Sequence, residues 1–198
     1  RIEKQERLGR VGTGIVAVDV QADVSTVMAV LTDLDRYVGR IPTMRDVTIL
    51  KRGNQVVSAQ FCISRFRLEI NTDMKVDTAR NMFEFKLDPT RPTMALQEAR
   101  GFWFVEKAEG RPEGWSRVWL KAMVKCDPLL PTFIVDYAAS QALPRASAWL
   151  QPVMREIGDV VNREGLTDVH SVQTSYVEVD KLKERYDGVD VPRWKAGG

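Results

Sequence analysis

The segment that decides the fold is residues 129–157, LLPTFIVDYAASQALPRASAWLQPVMREI. Its apolar residues recur every three or four positions and so line one face of a helix, while Gln141 and Arg155 fall elsewhere. At about 1.5 Å per residue this helix would extend roughly 40 Å, enough to lie along a whole sheet. Pro131 suits the first turn, whereas Pro144 and Pro152 predict interior kinks. The segment therefore predicts a long, bent helix that covers a concave sheet.

The chain before this helix alternates between apolar and polar residues, which is typical of β-strands with one wet and one apolar face. Residues 13–20 predict a first strand, and residues 23–35 predict a short helix capped by Asp23 or Ser25. A second short turn or broken helix follows near Tyr37. About six further strands are predicted, at residues 45–49, 57–63, 65–77, 81–87, 96–108 and 115–126.

This order predicts a single α+β domain at residues 13–158. A curved antiparallel sheet of about seven strands would wrap the long C-terminal helix, with two short helices after the first strand. Residues 1–12 are a charged N-terminal lead-in, either outside the core or forming an added strand. Residues 159–198 are a polar C-terminal extension, which we expect to dock on the domain or on a partner.

Composition excludes several classes of function. The 198 residues carry 29 basic and 27 acidic side chains, a net charge of +2, so no global field favours nucleic acid. Cys62 and Cys126 lack metal-type spacing and favour buried thiols in a reducing compartment over a disulfide. No apolar run approaches the ~18 residues of a membrane span. Because the chain begins at Arg1 without methionine, we expect a processed or trimmed form.

Several segments resemble those of a known superfamily: VDVQADVSTVMAVLTDLDRY (18–37), IPTMRDV (41–47), Gly101-Phe102-Trp103, WLKAMVKCDPLLP (119–131) and LPRASAWL (143–150). They are similar to START-like (SRPBCC, helix-grip) proteins, in the coenzyme Q-binding and polyketide cyclase/dehydrase-type branch, and most similar to cyanobacterial and plastid members. The resemblance implies the helix-grip fold and a hydrophobic ligand such as a prenylated quinone or another lipid. It also implies a chloroplast location, peripheral to the thylakoid, with the mitochondrion as the alternative.

A curved sheet that grips a helix leaves a space, and an apolar pocket forms if side chains do not fill it. The alternative is that the same side chains pack together as an ordinary core. Tyr137 and Asp136 are candidate polar anchors for a ligand. The residues predicted to line the pocket are Phe66, Leu68, Met74, Phe83, Phe85, Trp103, Val118, Leu120, Tyr137, Ala142, Trp149 and Val153.

The entrance to such a pocket would lie between residues 35–44 and residues 127–133. Leu129, Leu130 and Phe133, together with Ile41, are bulky apolar residues at this mouth that would contact a membrane and let a lipid pass. The alternative is a hydrophobic staple that anchors the start of the helix.

Catalytic signals are weak. His170 lies in the polar extension, where a histidine is usually solvated. The sequence contains no nucleophile elbow, phosphate-binding loop or metal-ligand cluster, and Gly12 and Gly14 are weak phosphate binders without a following helix. We therefore expect no catalytic residues, no metal and no cofactor.

Three functions follow, in order of preference. The first is non-enzymatic binding, transfer or chaperoning of a hydrophobic small molecule at an organellar membrane, with peripheral membrane contact and no nucleic acid. The second is an accessory or assembly subunit of a membrane protein complex, which uses the same fold without a ligand and joins its partner through the C-terminal extension. The third is a cyclase-like enzyme.

Overall fold

The computed structural model describes residues 2–63 and 67–164, and for residues 2, 137–144 and 160–164 it describes the backbone only. Phe66, His170 and residues 165–198 of the predicted extension lie outside the described residues. The described residues form one eight-stranded sheet and a small set of helices. None of these helices is long and apolar enough to cross a membrane.

The sheet is antiparallel throughout, in the order β1-β2-β8-β7-β6-β5-β4-β3. Strands β3 to β8 follow one another as a meander, and β2 then pairs with β8. This confirms the predicted α+β architecture. The strands are β1 Ile2–Leu8, β2 Val11–Val20, β3 Met44–Arg52, β4 Val56–Ile63, β5 Leu68–Asp77, β6 Met82–Leu87, β7 Leu96–Lys107 and β8 Ser116–Cys126.

The lead-in of the chain is a strand, which makes the sheet one strand wider than the predicted seven. Strand β1 pairs with β2 over its whole length, from Ile2 opposite Ala17 to Leu8 opposite Val11. Gly9 adopts a φ of 59° in the turn between them, a conformation that costs glycine little. The charged side chains of β1 suit an edge strand, where they discourage pairing with another molecule.

Helix α1, Val24–Thr32, begins at Asp23, whose carboxylate accepts a hydrogen bond from the Thr26 backbone N–H at 2.8 Å. A 3₁₀ turn at Leu34–Arg36 and helix α2, Tyr37–Arg40, follow as the predicted second short helix. The buried Tyr37 hydroxyl donates to the Leu31 carbonyl oxygen at 2.5 Å, which fixes α2 against the end of α1.

The long C-terminal helix is divided into α3, Thr132–Ala148, and α4, Leu150–Glu164. The division lies at Trp149, whereas kinks were expected at Pro144 and Pro152. Helix α3 continues through Pro144. Pro152 lacks an N–H, and its ring crowds the carbonyl of the residue four positions earlier, which is Ala148, so the break lies one turn before the proline itself. Helix α4 continues past the expected end at Ile157, because Gly158 weakens a helix by only about 1 kcal/mol.

One end of the inner face of the sheet is filled with side chains. There α1 packs on β6 and β7, and α4 packs on β2. The other end lies beneath α2 and α3 and holds a cavity. Residues that are almost fully buried in the filled end include Val20, Val27, Leu31, Leu34, Val105, Val118, Leu150 and Met154.

Candidate functional site

The candidate site is a cavity of about 470 Å³ between the inner face of the sheet and helices α2 and α3. This volume lies within the range of roughly 300 to 1,000 Å³ that is typical of small-molecule pockets. Its wall is almost entirely apolar, with Ile70, Phe83, Phe85 and Leu120 from the strands and Ile134 from α3. A cavity of this size and character suits a molecule with a large hydrophobic body.

The cavity exists because small residues occupy neighbouring inner positions on β2, β8 and β7. Ala122 of β8 lies between Gly14 and Gly101, its partners on the two adjacent strands. One step along the same strands, Val124 lies between Gly12 and Ala99. Larger side chains at these positions would fill the space, as they do at the other end of the sheet.

The structure divides the predicted pocket residues into two groups. The cavity wall contains Leu68, Met74, Phe83, Phe85, Trp103 and Leu120. In contrast, Val118, Trp149 and Val153 lie in the packed core and not on the wall. The side chains of Phe66, Tyr137 and Ala142 lie outside the described residues.

The three core residues belong to the filled end, where helices cover the sheet closely. Val118 is 1% exposed and Trp149 is 2% exposed. The Trp149 indole N–H donates to the Ala146 carbonyl oxygen at 2.7 Å, and its ring centroid is 5.8 Å from that of Tyr37. Trp149 therefore packs behind Tyr37, and it is Tyr37 that lines the cavity.

Only some of the residues predicted to form the mouth of the pocket line the cavity. Ile41 and Leu130 line the cavity, from the two segments that were expected to form its entrance. Leu129 and Phe133 are not on the wall, and they point outward with 90% and 49% of their surface exposed. Adjacent leucines thus face opposite ways, one toward the cavity and one toward solvent.

Two titratable groups on the cavity wall, Tyr37 and Cys126, are held in their neutral forms. Burial raises the pKa of the Tyr37 hydroxyl well above its usual range, and burial also raises the pKa of the Cys126 thiol. Both groups are therefore protonated at neutral pH. Cys62 and Cys126 are buried free thiols, as predicted.

An ion pair holds β1 against α3 beside the cavity. The Arg7 guanidinium donates to the Asp136 carboxylate, and Arg7 also contributes to the cavity wall. Asp136, a candidate polar anchor in the sequence, is exposed, is engaged by this pair and does not lie on the cavity wall. Within residues 2–63 and 67–164, no group of acidic, cysteine or histidine side chains has the arrangement of a metal site.

Sequence reasoning missed several residues of the wall. Thr72 was read as one position in an alternating strand, and its hydroxyl lies buried at the cavity. Gly12 and Gly14 were considered only as phosphate binders, yet they create space. The signal that would have found them is the run of glycine and alanine at inner positions of three adjacent strands.

Solved structures similar to this chain include START-type proteins. A START superfamily protein from Mycobacterium smegmatis matches with a TM-score of 0.59 and 13% identity over 73% of this chain and 98% of that chain. The chain has the START, or helix-grip, fold. A STAR-related lipid transfer protein from Xanthomonas axonopodis matches the START fold of this chain with a TM-score of 0.58 and 10% identity, over 77% of this chain and 98% of that chain.

A third START-fold structure is an enzyme. The Zhui aromatase/cyclase from Streptomyces sp. R1128 matches with a TM-score of 0.54 and 17% identity, over 88% of this chain and 95% of that chain. No protein-family model and no curated protein sequence matches this chain. At these identities the likeness establishes the fold alone, because the START fold carries both lipid-transfer and cyclase functions.

Proposed function

We propose that this protein binds one hydrophobic small molecule in its cavity and carries or protects it without transforming it. The observation that carries this proposal is the apolar cavity of about 470 Å³ between the sheet and α3. A hydrophobic molecule in a space of this size and character would make dispersion contacts with the apolar side chains of the wall.

The chemistry of the wall supports binding over catalysis. The buried titratable groups there, Tyr37 and Cys126, have raised pKa values and stay protonated, so neither supplies a base or a thiolate at neutral pH. The Tyr37 hydroxyl is also engaged by the Leu31 carbonyl oxygen. A cyclase-like reaction would need a buried group poised to exchange protons, and these two groups do not offer one.

A surface beside the cavity favours contact with a membrane. Four exposed apolar side chains, Leu8, Met94, Leu129 and Phe133, define what we call the apolar rim. Their segments are hydrogen-bonded together. The Cys126 N–H donates to the Arg10 carbonyl at 3.0 Å, and the Asp127 N–H donates to the Ala95 carbonyl at 3.0 Å.

Arg10 also donates to the carbonyl oxygens of Asp127 and Leu130, at 2.8 and 2.9 Å, which fixes the β1–β2 turn against the start of α3. The apolar rim thus lies on segments that also supply Ala95, Cys126 and Leu130 to the cavity wall. We propose that it dips into the lipid surface while the ligand enters or leaves past Leu130 and Ile41.

The finer identity of the ligand and its compartment stay predictions from the sequence resemblance. A prenylated quinone or another lipid would match the apolar wall, and a chloroplast location peripheral to the thylakoid remains the expected setting. The alternative role as a subunit of a membrane complex depends on residues 159–198, most of which lie outside the described residues.

Organic extraction of the purified protein, followed by mass spectrometry, tests the proposal directly. We expect a co-purifying isoprenoid or lipid in amounts close to one per chain. A protein that co-purifies with no hydrophobic molecule, and that also fails to take up Nile red, would contradict the proposal.

A pair of substitutions on one strand tests whether the cavity is the binding site. Ala122→Trp places an indole in the cavity, while Met123→Trp places the same group on the outer face of β8, since successive residues of a strand face opposite sides. We expect Ala122→Trp to reduce Nile red binding by roughly tenfold or more and Met123→Trp to leave it unchanged. If both variants bind Nile red equally and their circular dichroism spectra match that of the wild type, the binding site lies outside this cavity.

A further inference from the structure

The cavity wall contains one buried hydroxyl that has no hydrogen-bond partner. Thr72 lies on β5, is 7% exposed and lines the cavity. Within the described part of the chain, no group donates to or accepts from its Oγ1 atom. More than nine-tenths of buried polar groups in proteins have a partner, so an unpaired hydroxyl facing an apolar cavity calls for a physical reason.

Among the described residues around Thr72, none supplies a hydrogen-bond partner for its hydroxyl. Its inner-face neighbours along β5 are Ile70 and Met74, and its partners across the sheet are Ala59 and Leu87. All four are apolar. The other buried hydroxyl of the wall, that of Tyr37, is already committed to the Leu31 carbonyl oxygen. The Thr72 hydroxyl therefore lies on an apolar part of the cavity wall.

We infer that Thr72 anchors the ligand, and that the ligand carries a neutral oxygen function, a carbonyl or a hydroxyl, on an otherwise apolar body. A threonine hydroxyl can both donate and accept hydrogen bonds, so it can pair with either a carbonyl or a hydroxyl group. The hydroxyl carries no charge that could neutralise a carboxylate or phosphate group of the ligand. Such a charged group would lose its hydration when buried at this depth. This inference rests on the proposed function and adds the chemical class of the ligand.

The test compares two probes of equal chain length, octane and 2-octanone, which differ only in the carbonyl group. Headspace gas chromatography measures the free concentration of each probe above a solution of the full chain. Wild-type protein is compared with Thr72→Val, which removes the hydroxyl at constant shape, with Thr72→Ala as a second variant lacking the hydroxyl, and with Thr72→Ser, which keeps it.

We expect Thr72→Val to weaken 2-octanone binding by about fivefold, the usual worth of one neutral hydrogen bond, and to change octane binding by less than about twofold. Thr72→Ser should keep the preference for 2-octanone, and Thr72→Ala should lose it. If wild-type protein binds both probes, and Thr72→Val changes the binding of neither probe or of both equally, then Thr72 is not the anchor. The proposed function still stands in that case. If wild-type protein binds neither probe, the proposed function fails and the anchor with it.

Discussion

The ring of Phe85 packs against Gly101, its partner on the adjacent strand. A β-carbon at Gly101 would lie 2.5 Å from Phe85 Cζ and would also collide with the Lys121 backbone oxygen. Non-bonded contacts this short essentially never occur for a β-carbon in proteins. Because Phe85 is part of the cavity wall, glycine at this position gives the aromatic ring room against the sheet.

Gly101→Ala should therefore destabilise the protein. The Phe85 ring can turn away, but the Lys121 backbone cannot move without shifting β8, and overpacking of this kind costs about 3 kcal/mol. Urea denaturation measures the free energy of unfolding. The control is Gly12→Ala, where the new β-carbon would lie 3.7 Å from Val124 Cγ2, an ordinary contact. A Gly101→Ala protein as stable as Gly12→Ala would show that β8 relaxes freely at this position.

Thr72→Val should raise the free energy of unfolding by about 1 kcal/mol. The wild-type hydroxyl is buried without a partner, so folding loses its hydration and gains no hydrogen bond in return. Valine has the same shape and no such cost. Thermal and urea denaturation in the absence of ligand measure the effect, with Thr72→Ser as the variant that keeps the hydroxyl. A less stable Thr72→Val protein would mean that the hydroxyl is satisfied in solution.

The strands could be predicted because their alternation reflects a sheet with one apolar face. Each of β3 to β8 overlaps a predicted segment of alternating residues, although the segment predicted at 65–77 begins before β5 does. Strand β1 could not be assigned with the same assurance, because IEKQERL has charged residues on both faces and owes its structure to pairing with β2. The break at Trp149 has a local cause in Pro152, yet it falls one turn away from that proline.

The boundary between cavity and core could not be predicted from the sequence. Val118 and Leu120 are inner residues of the same strand, and both are apolar and buried. Only Leu120 lines the cavity. The difference between them comes from which helix lies above each position, and that is set by residues far away in the chain. The alternation of apolar and polar residues identifies which side chains face the inside of the sheet. It does not show how closely a helix covers each of these side chains.

The ion pairs of Asp19 should make stability depend on pH. Its carboxylate accepts hydrogen bonds from Arg117 at 2.7 and 3.1 Å and from Arg111 at 3.1 Å, which joins β2 to β8 and to the β7–β8 loop. The Arg117 hydrogen bonds dominate in lowering the pKa of Asp19 from 3.8 to about 2. Folding therefore favours the charged form, and this stabilisation is present above pH 4 and is lost as the pH falls toward 2.

Asp19→Asn should lower the free energy of unfolding by about 1 kcal/mol at pH 7, a modest value because solvent screens the pair. The difference from wild type should shrink between pH 4 and pH 2. Urea titrations at several pH values measure it. Asp35→Asn serves as the control, because Asp35 pairs with Arg52 where both side chains are more than half exposed. A constant difference across this pH range would show that Asp19 acts through something other than its charge.

Removing side chains from the apolar rim should weaken membrane binding without changing the fold. Met94 and Leu129 are 92% and 90% exposed, so Met94→Ser with Leu129→Ser removes apolar surface that the folded protein does not use for packing. If these side chains enter the lipid surface, the partition coefficient onto vesicles of phosphatidylcholine and phosphatidylglycerol should fall by roughly tenfold, as expected from the apolar area withdrawn from water.

Leu50→Ser is the matched control, because Leu50 is also exposed but lies on β3, at the opposite edge of the sheet from β1. Sedimentation with vesicles measures all three proteins, and equal loss of binding by the control would mean that the rim is not a distinct contact surface.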